Sequence, residues 1–433
     1  MTGPATGPGQ GYRIPDGPHS PPPPPPPPAL VPAQLLRRPG RHLGFTVLVS
    51  LLMLLGAAVM SLVLVMTNGP DALAIGVVLA ALPVGPVIAS FLWLDRYEPE
   101  PTGLLATAFG WGALVATAVA LLLQLVDQLL LGTDQVWGGV VAAPVTEEAA
   151  KGLFVLLLLW FRRRVIDGVL DGIVYAGLVG VGFAFTENIL YLGGAYTGGA
   201  GGPGGIESAT TLFVVRGVFS PFAHPLFTAL TGVGVGVAVV ARSRRWRVLA
   251  PLLGYLAAVV AHAAWNGSVF LGGGAGFVLT YLGAMVPAFA LLVAFAVWAR
   301  RREGLMLTRS LSDAAARGLL DPAEVPWLVR LPARRASRRF ARARGGAPAD
   351  RAMREYQQQA IELGFLHDRY LRGTAPADFA RRGTVMVTRL RALRPYVEFP
   401  PTRATSARPP GPAPGPPPGR SPARPSAPHR GAW

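Results

Sequence analysis

Cysteine is absent from all 433 residues, which excludes disulfides, thiolate nucleophiles and cysteine-based metal sites. Lysine is all but absent: Lys151 is the only one, and the other 39 of the 40 basic residues are arginine. Charge of either sign is scarce, at 15% of residues, against about a quarter in soluble domains. Hydrophobic residues make up 51%, and mean hydropathy is +0.40, so much of the chain is expected to lie in a lipid bilayer. The net charge of +17 gathers in short arginine clusters beside apolar runs and in the last third of the chain. That pattern fits the cytoplasmic flanks of a cell-membrane protein. A nucleic-acid binder would carry one continuous basic patch, and no nucleic-acid partner is expected. Arginine in place of lysine, beside abundant Ala, Gly and Pro, points to a GC-rich bacterial source.

Residues 1–40 contain eight consecutive prolines, Pro21 to Pro28, among Gly, Ser and Ala. This arm and the Pro- and Arg-rich tail, 399–433, are expected to be disordered. Between them lie apolar runs of about 20 residues, the length of a membrane span: 43–66, 73–94, 103–126, 137–161, 168–192, 218–241, 248–270 and 277–299. Their connections alternate between arginine-rich ("RRRVID", "RSRRWR", "RRR") and nearly arginine-free ("TNGPD", "GGGAG"). By the positive-inside rule this predicts an all-α, multi-pass bundle of about eight spans over 43–302, with both termini cytoplasmic. Residues 303–398 alternate apolar and charged residues at helical spacing and predict a small cytoplasmic helical appendage near the inner leaflet.

Ionisable side chains inside a span cost several kcal/mol and mark functional sites by default. The fourth run holds Glu147, Glu148 and Lys151, with Lys151 at i+4 and i+3 from the two acids, so that it can reach either. The fifth run holds Glu187 and Asn188 toward its outer end, the sixth His224, and the seventh His262 and Asn266 four residues apart. All sit at similar depth, nearer the external face. Arg216 and Asp171 are set apart, since each could reach the interface from a span end. The set supports two schemes for peptide-bond hydrolysis. In one, Glu187, His224 and His262 hold zinc in a His₂Glu arrangement, with Glu147 as base toward the metal's water. In the other, metal-free scheme Glu147 and Glu148 activate water while His262 and Asn266 stabilise the oxyanion. A proton-coupled transporter or a membrane scaffold is the alternative class; the transporter calls for repeated, interrupted spans, which the sequence does not show.

The ordered motifs "EEAAK", "FAFTEN" (Phe183 to Asn188), the isolated histidine of "FAHPLFT", and "HAAWN" resemble the PrsW family of intramembrane proteases, related to the type II CAAX prenyl endopeptidases. The resemblance covers residues 75–300. It implies that Glu147 is the principal catalytic acid/base, assisted by Glu148 and Lys151, with Phe183, Glu187, Asn188, His224, His262 and Asn266 completing the site. It also implies a membrane-anchored protein substrate, such as an anti-sigma factor, cut on its external side. The CAAX enzymes carry His where this chain has Glu187, which argues against prenyl-protein processing.

Overall fold

The computed structural model describes residues 43–401 apart from 98, 163–164, 200–201 and 271–272. The Pro-rich arm and nearly all of the tail lie outside the described residues. Every regular element among those described is helical. Seven helices are long and apolar enough to cross a membrane: α1 (Leu43–Thr67), α2 (Pro70–Leu94), α3 (Thr102–Leu130), α5 (Val169–Thr197), α6 (Gly205–Val240), α7 (Arg244–Val269) and α8 (Gly273–Ala316). The fourth expected span is α4 (Ala143–Phe161), continued from Gln135 through a π-helical turn at Gly138–Ala142. Its two glutamates and lysine are what set it apart from the other seven by composition.

The bundle is layered around α5, whose most apolar stretch is 83% buried, and α6, at 72%; the same stretch of α8 is only 6% buried. Small residues allow that central pairing, as is common where lipid supplies no hydrophobic drive between helices. Gly172 and Gly232 bring the α5 and α6 backbones together so closely that a Cβ on either would collide with the other's carbonyl. Two turns further on, a Cβ at Gly180 would lie 2.7 Å from the carbonyl oxygen of His224. The spacing that seats His224 against α5 is therefore fixed by the absence of a side chain. Around this pair, Trp111, Phe154, Leu158, Ile173, Val179 and Phe183 form the apolar core. The Trp111 indole N–H reaches across to the Ala150 carbonyl at 3.0 Å, which pins α3 to α4 one residue before Lys151.

Asp171, set aside on sequence, has a local job. Its carboxylate accepts the backbone N–H groups of Asp167 and Gly168 at 2.7 and 2.9 Å, satisfying donors that the start of α5 leaves free.

The boundary expected at residue 302 falls inside a helix, because α8 runs unbroken to Ala316 and carries the chain into a C-terminal helical unit. That unit adds α9 (Val325–Val329), α10 (Leu331–Leu371, kinked at Gly345 and Gly346) and α11 (Phe379–Leu393). Leu307, Leu311, Leu328, Met353, Ile361 and Leu393 make its separate core.

Candidate active site

The polar residues of four helices meet in one buried pocket. Lys151 is fully buried on α4 and its ammonium has three protons to give. It donates to Glu147 Oε2 at 3.2 Å, Glu148 Oε1 at 2.9 Å and His224 Nδ1 at 3.1 Å. The Phe183 ring of α5 lies 3.6 Å from the same ammonium, an electrostatically favourable seat for a desolvated cation. Two carboxylates and a lysine can persist here because each charge faces its opposite within hydrogen-bond reach; an unpaired one would lose several kcal/mol of hydration.

The two glutamates are held differently. Glu148 is wholly enclosed, and both its oxygens are engaged: Oε1 by Lys151 and by His262 Nδ1 at 3.0 Å, Oε2 by the Thr228 hydroxyl at 3.0 Å. Glu147 is 5% exposed and takes Gln124 Nε2 at 3.2 Å on Oε1 and Lys151 on Oε2.

A carboxylate only accepts, so the bonded histidine nitrogen must carry the proton in each carboxylate–imidazole pair. His262 therefore donates from Nδ1 to Glu148 and leaves Nε2 bare, 3.9 Å from Glu147 Oε2. His224 donates from Nε2 to Glu187 Oε2 at 2.8 Å and leaves Nδ1 bare, facing Lys151. The two rings meet edge-on at 5.1 Å, and Phe227 stacks on His262 at 4.9 Å.

Among the described residues, the group able to hold a metal ion is Glu147, His224 and His262, with one ligand atom of each within 4.8 Å of the others. Glu187, expected among the ligands, instead faces Arg216 and His224, and Glu147 stands in its place. The donor set fits such an ion: two imidazoles held on their outer nitrogens by carboxylates, inner nitrogens unprotonated, and one acid beside them, the Lys151 ammonium on His224 Nδ1 being the cation that an ion would replace there. Asn266, expected near the oxyanion, donates its amide to the Gly139 carbonyl at 2.8 Å and ties α7 to the π-helical turn before α4. Asn188 accepts from Arg216 Nε at 2.6 Å.

Gln124 and Thr228 join the pocket without standing out in the sequence, and Arg216 joins it although set apart there. A polar residue within an apolar run was a signal for the first two, and Thr228 stands one turn after His224. Arg216, placed by the sequence where it could reach the interface, turns inward to Asn188 and Glu187.

Residues 100–292 match the family described as PrsW family intramembrane metalloprotease. The match places this segment among PrsW-like sequences. Similar curated proteins bear the same name: Protease PrsW of Geobacillus kaustophilus is 29% identical over 184 residues, 40% of this chain and 72% of that one. Protease PrsW of Bacillus subtilis is 26% identical over 37% of this chain and 68% of its own. That of Clostridioides difficile is 28% identical over 26% and 49%. No solved structure matches the chain. The protein is thus an intramembrane peptide hydrolase, and all the residues of the pocket fall inside the PrsW-matched segment. The C-terminal unit lies beyond it.

Proposed function

We propose that this chain is an intramembrane endopeptidase that cuts a membrane-anchored protein near the outer leaflet, a single-span regulator of the anti-sigma type being the substrate class that fits, and that Glu147 is the acid on which the cut depends. The observation that carries the reading is the convergence of Glu147, Glu148, Lys151, His224 and His262 in one enclosed pocket of a PrsW-family segment. The arginine-rich connections on the opposite side support an outward-facing site with both termini cytoplasmic.

Glu147 has the freer carboxylate of the pair, which suits it to take a proton from the attacking water. Glu148, with every oxygen engaged, holds His262 in one tautomer and Lys151 in place. Lys151 donates to both acids and ties them together. Glu147, His224 and His262 would hold a divalent metal of the zinc type, which when bound supplies a Lewis acid and an acidified water.

Glu147→Gln should abolish cleavage of a model single-span substrate while the protein still inserts and purifies as a folded species. Cleavage within a few-fold of wild type would overturn the role of Glu147. Elemental analysis of the purified protein reads the metal separately: near-stoichiometric zinc is expected in wild type and none in the His224→Ala/His262→Ala variant.

A further inference from the structure

Arg216 has no place in the scheme above, yet the structure ties it to the site through Glu187 and Asn188. It sits on a π-helical turn, Val214–Phe219, followed by a break in α6 at 220–222. That interruption turns its side chain toward α5. There the guanidinium divides its donors: Nε–H to Asn188 Oδ1 at 2.6 Å and Nη2 to Glu187 Oε2. Its carbon lies 4.1 Å from the centre of the Tyr191 ring, one turn along α5 from Glu187. Three successive anchors on one helix face leave the guanidinium a single orientation.

The Glu187 oxygen that receives Arg216 is the same one that receives His224 Nε2–H. A carboxylate without Arg216 would be free to rotate, or to turn its charge toward Lys151 and compete with Glu147 and Glu148 for the ammonium. With Arg216 in place it is neutralised and held at the outer nitrogen of His224. We infer that Arg216 is a positioning residue for the hydrolysis: through Glu187 it fixes the tautomer and ring orientation of His224, so that a bare Nδ1 faces the reacting pocket. This extends outward the pattern in which a second group orients a histidine's working nitrogen. The inference rests on the hydrolase reading of the site, and it explains why Asn188 follows Glu187: it receives the second arm of the same guanidinium.

The experiment uses full-length protein in detergent, labelled with ¹⁵N-histidine, and three variants: Arg216→Gln, Arg216→Lys and Glu187→Gln. The His224 ring signals are assigned by their loss in His224→Gln. Wild type should show one neutral tautomer of His224, protonated at Nε2. Arg216→Gln should show a mixture, with kcat for a model span lowered on the order of 10–100-fold, the usual scale for removing such an orienting group, and KM nearly unchanged. Arg216→Lys keeps the charge but cannot reach Glu187 and Asn188 together, so it should fall between. In a Glu187→Gln background, Arg216→Gln should add little. Wild-type ring signals and wild-type turnover in Arg216→Gln would overturn the inference, as would additive losses in the double variant. If Arg216→Gln does not fold, Arg216→Lys carries the same two readouts. If wild type cleaves no substrate, the proposed function fails, and the ring signals still decide the role of Arg216.

Discussion

Lys151 shows most plainly what a single residue does here. Its three bonds neutralise two acids on its own helix and meet the inner nitrogen of His224 on another. Lys151→Met keeps the volume but strands both carboxylates in a dry pocket, and removing one partner of a buried pair costs about 3–5 kcal/mol. Unfolding in detergent should show that loss, and adding Glu148→Gln should restore part of it; a Lys151→Met protein as stable as wild type would sink the argument. This residue was legible in the sequence because three ionisable side chains in an apolar run have no inexpensive alternative to pairing. Thr228 was not. Thr107, Thr117 and Thr146 also lie in or beside apolar helices, and each hydroxyl bonds a carbonyl of its own helix. Only the packing of α6 against α4 turns the Thr228 hydroxyl across to Glu148 instead, and no local pattern announces that.

At the scale of elements, runs of about 20 apolar residues located the spans because the bilayer sets that length. What they left hidden were the π-helical turns, at Trp111–Ala116, Gly138–Ala142, Val214–Phe219 and Tyr281–Met285. A π turn adds a residue without altering the hydropathy of its run, and such turns often mark functional sites. Two of them bear on the pocket, one through Gly139 and one through Arg216.

The connection from α2 to α3 carries a pH signature of its own. Asp95 accepts the Glu100 N–H at 2.8 Å, and the Glu100 carboxylate accepts the Tyr175 hydroxyl at 2.9 Å. Burial pushes the Asp95 carboxyl up to about 8, with the Asp171 carboxylate adding to the shift and the Glu100 N–H opposing it. An unfolded aspartate titrates near 3.9, so from about pH 4 to 8 the native state holds a proton that the unfolded state has lost. Stability from this group is full below that window and falls as pH rises through it. The thermal midpoint in detergent should decline between pH 5 and 8. Asp95→Asn, permanently neutral, should flatten part of the decline; an unchanged slope would show that Asp95 is not a source of it.

For the whole molecule, the C-terminal unit is joined to the bundle by more than its chain connection. Tyr97, between α2 and α3, packs on the unit's core, and Arg334, 2% exposed, donates to the Tyr97 carbonyl at 2.6 Å. Arg369 meets Asp167, between α4 and α5, at 3.3 Å, and Arg242, between α6 and α7, reaches the Arg372 carbonyl. The Arg369–Asp167 pair is partly solvated and worth about 0–1 kcal/mol. Loss of Arg334, itself buried, leaves the part-buried Tyr97 carbonyl without its charged donor, a loss on the order of 1–3 kcal/mol. Arg334→Met should therefore make residues 303–401 more sensitive to limited proteolysis, whereas Arg369→Ala should leave the digestion pattern near that of wild type. The reverse ranking would mean that the outer ion pair, and not the buried contact, holds the unit. None of these contacts was visible in the sequence, which showed the helical spacing of the unit but not the loops it meets.

The tripod at Lys151 also has a genetic meaning. A chain that writes every other basic residue as arginine is under a coding bias that favours the same letter at this codon, and one base change suffices to make it. A flat guanidinium cannot send three donors to three separate helical positions as a tetrahedral ammonium does. In a pooled mutagenesis screen for cleavage, Lys151→Arg should therefore rank among the most accessible and least tolerated changes in the gene.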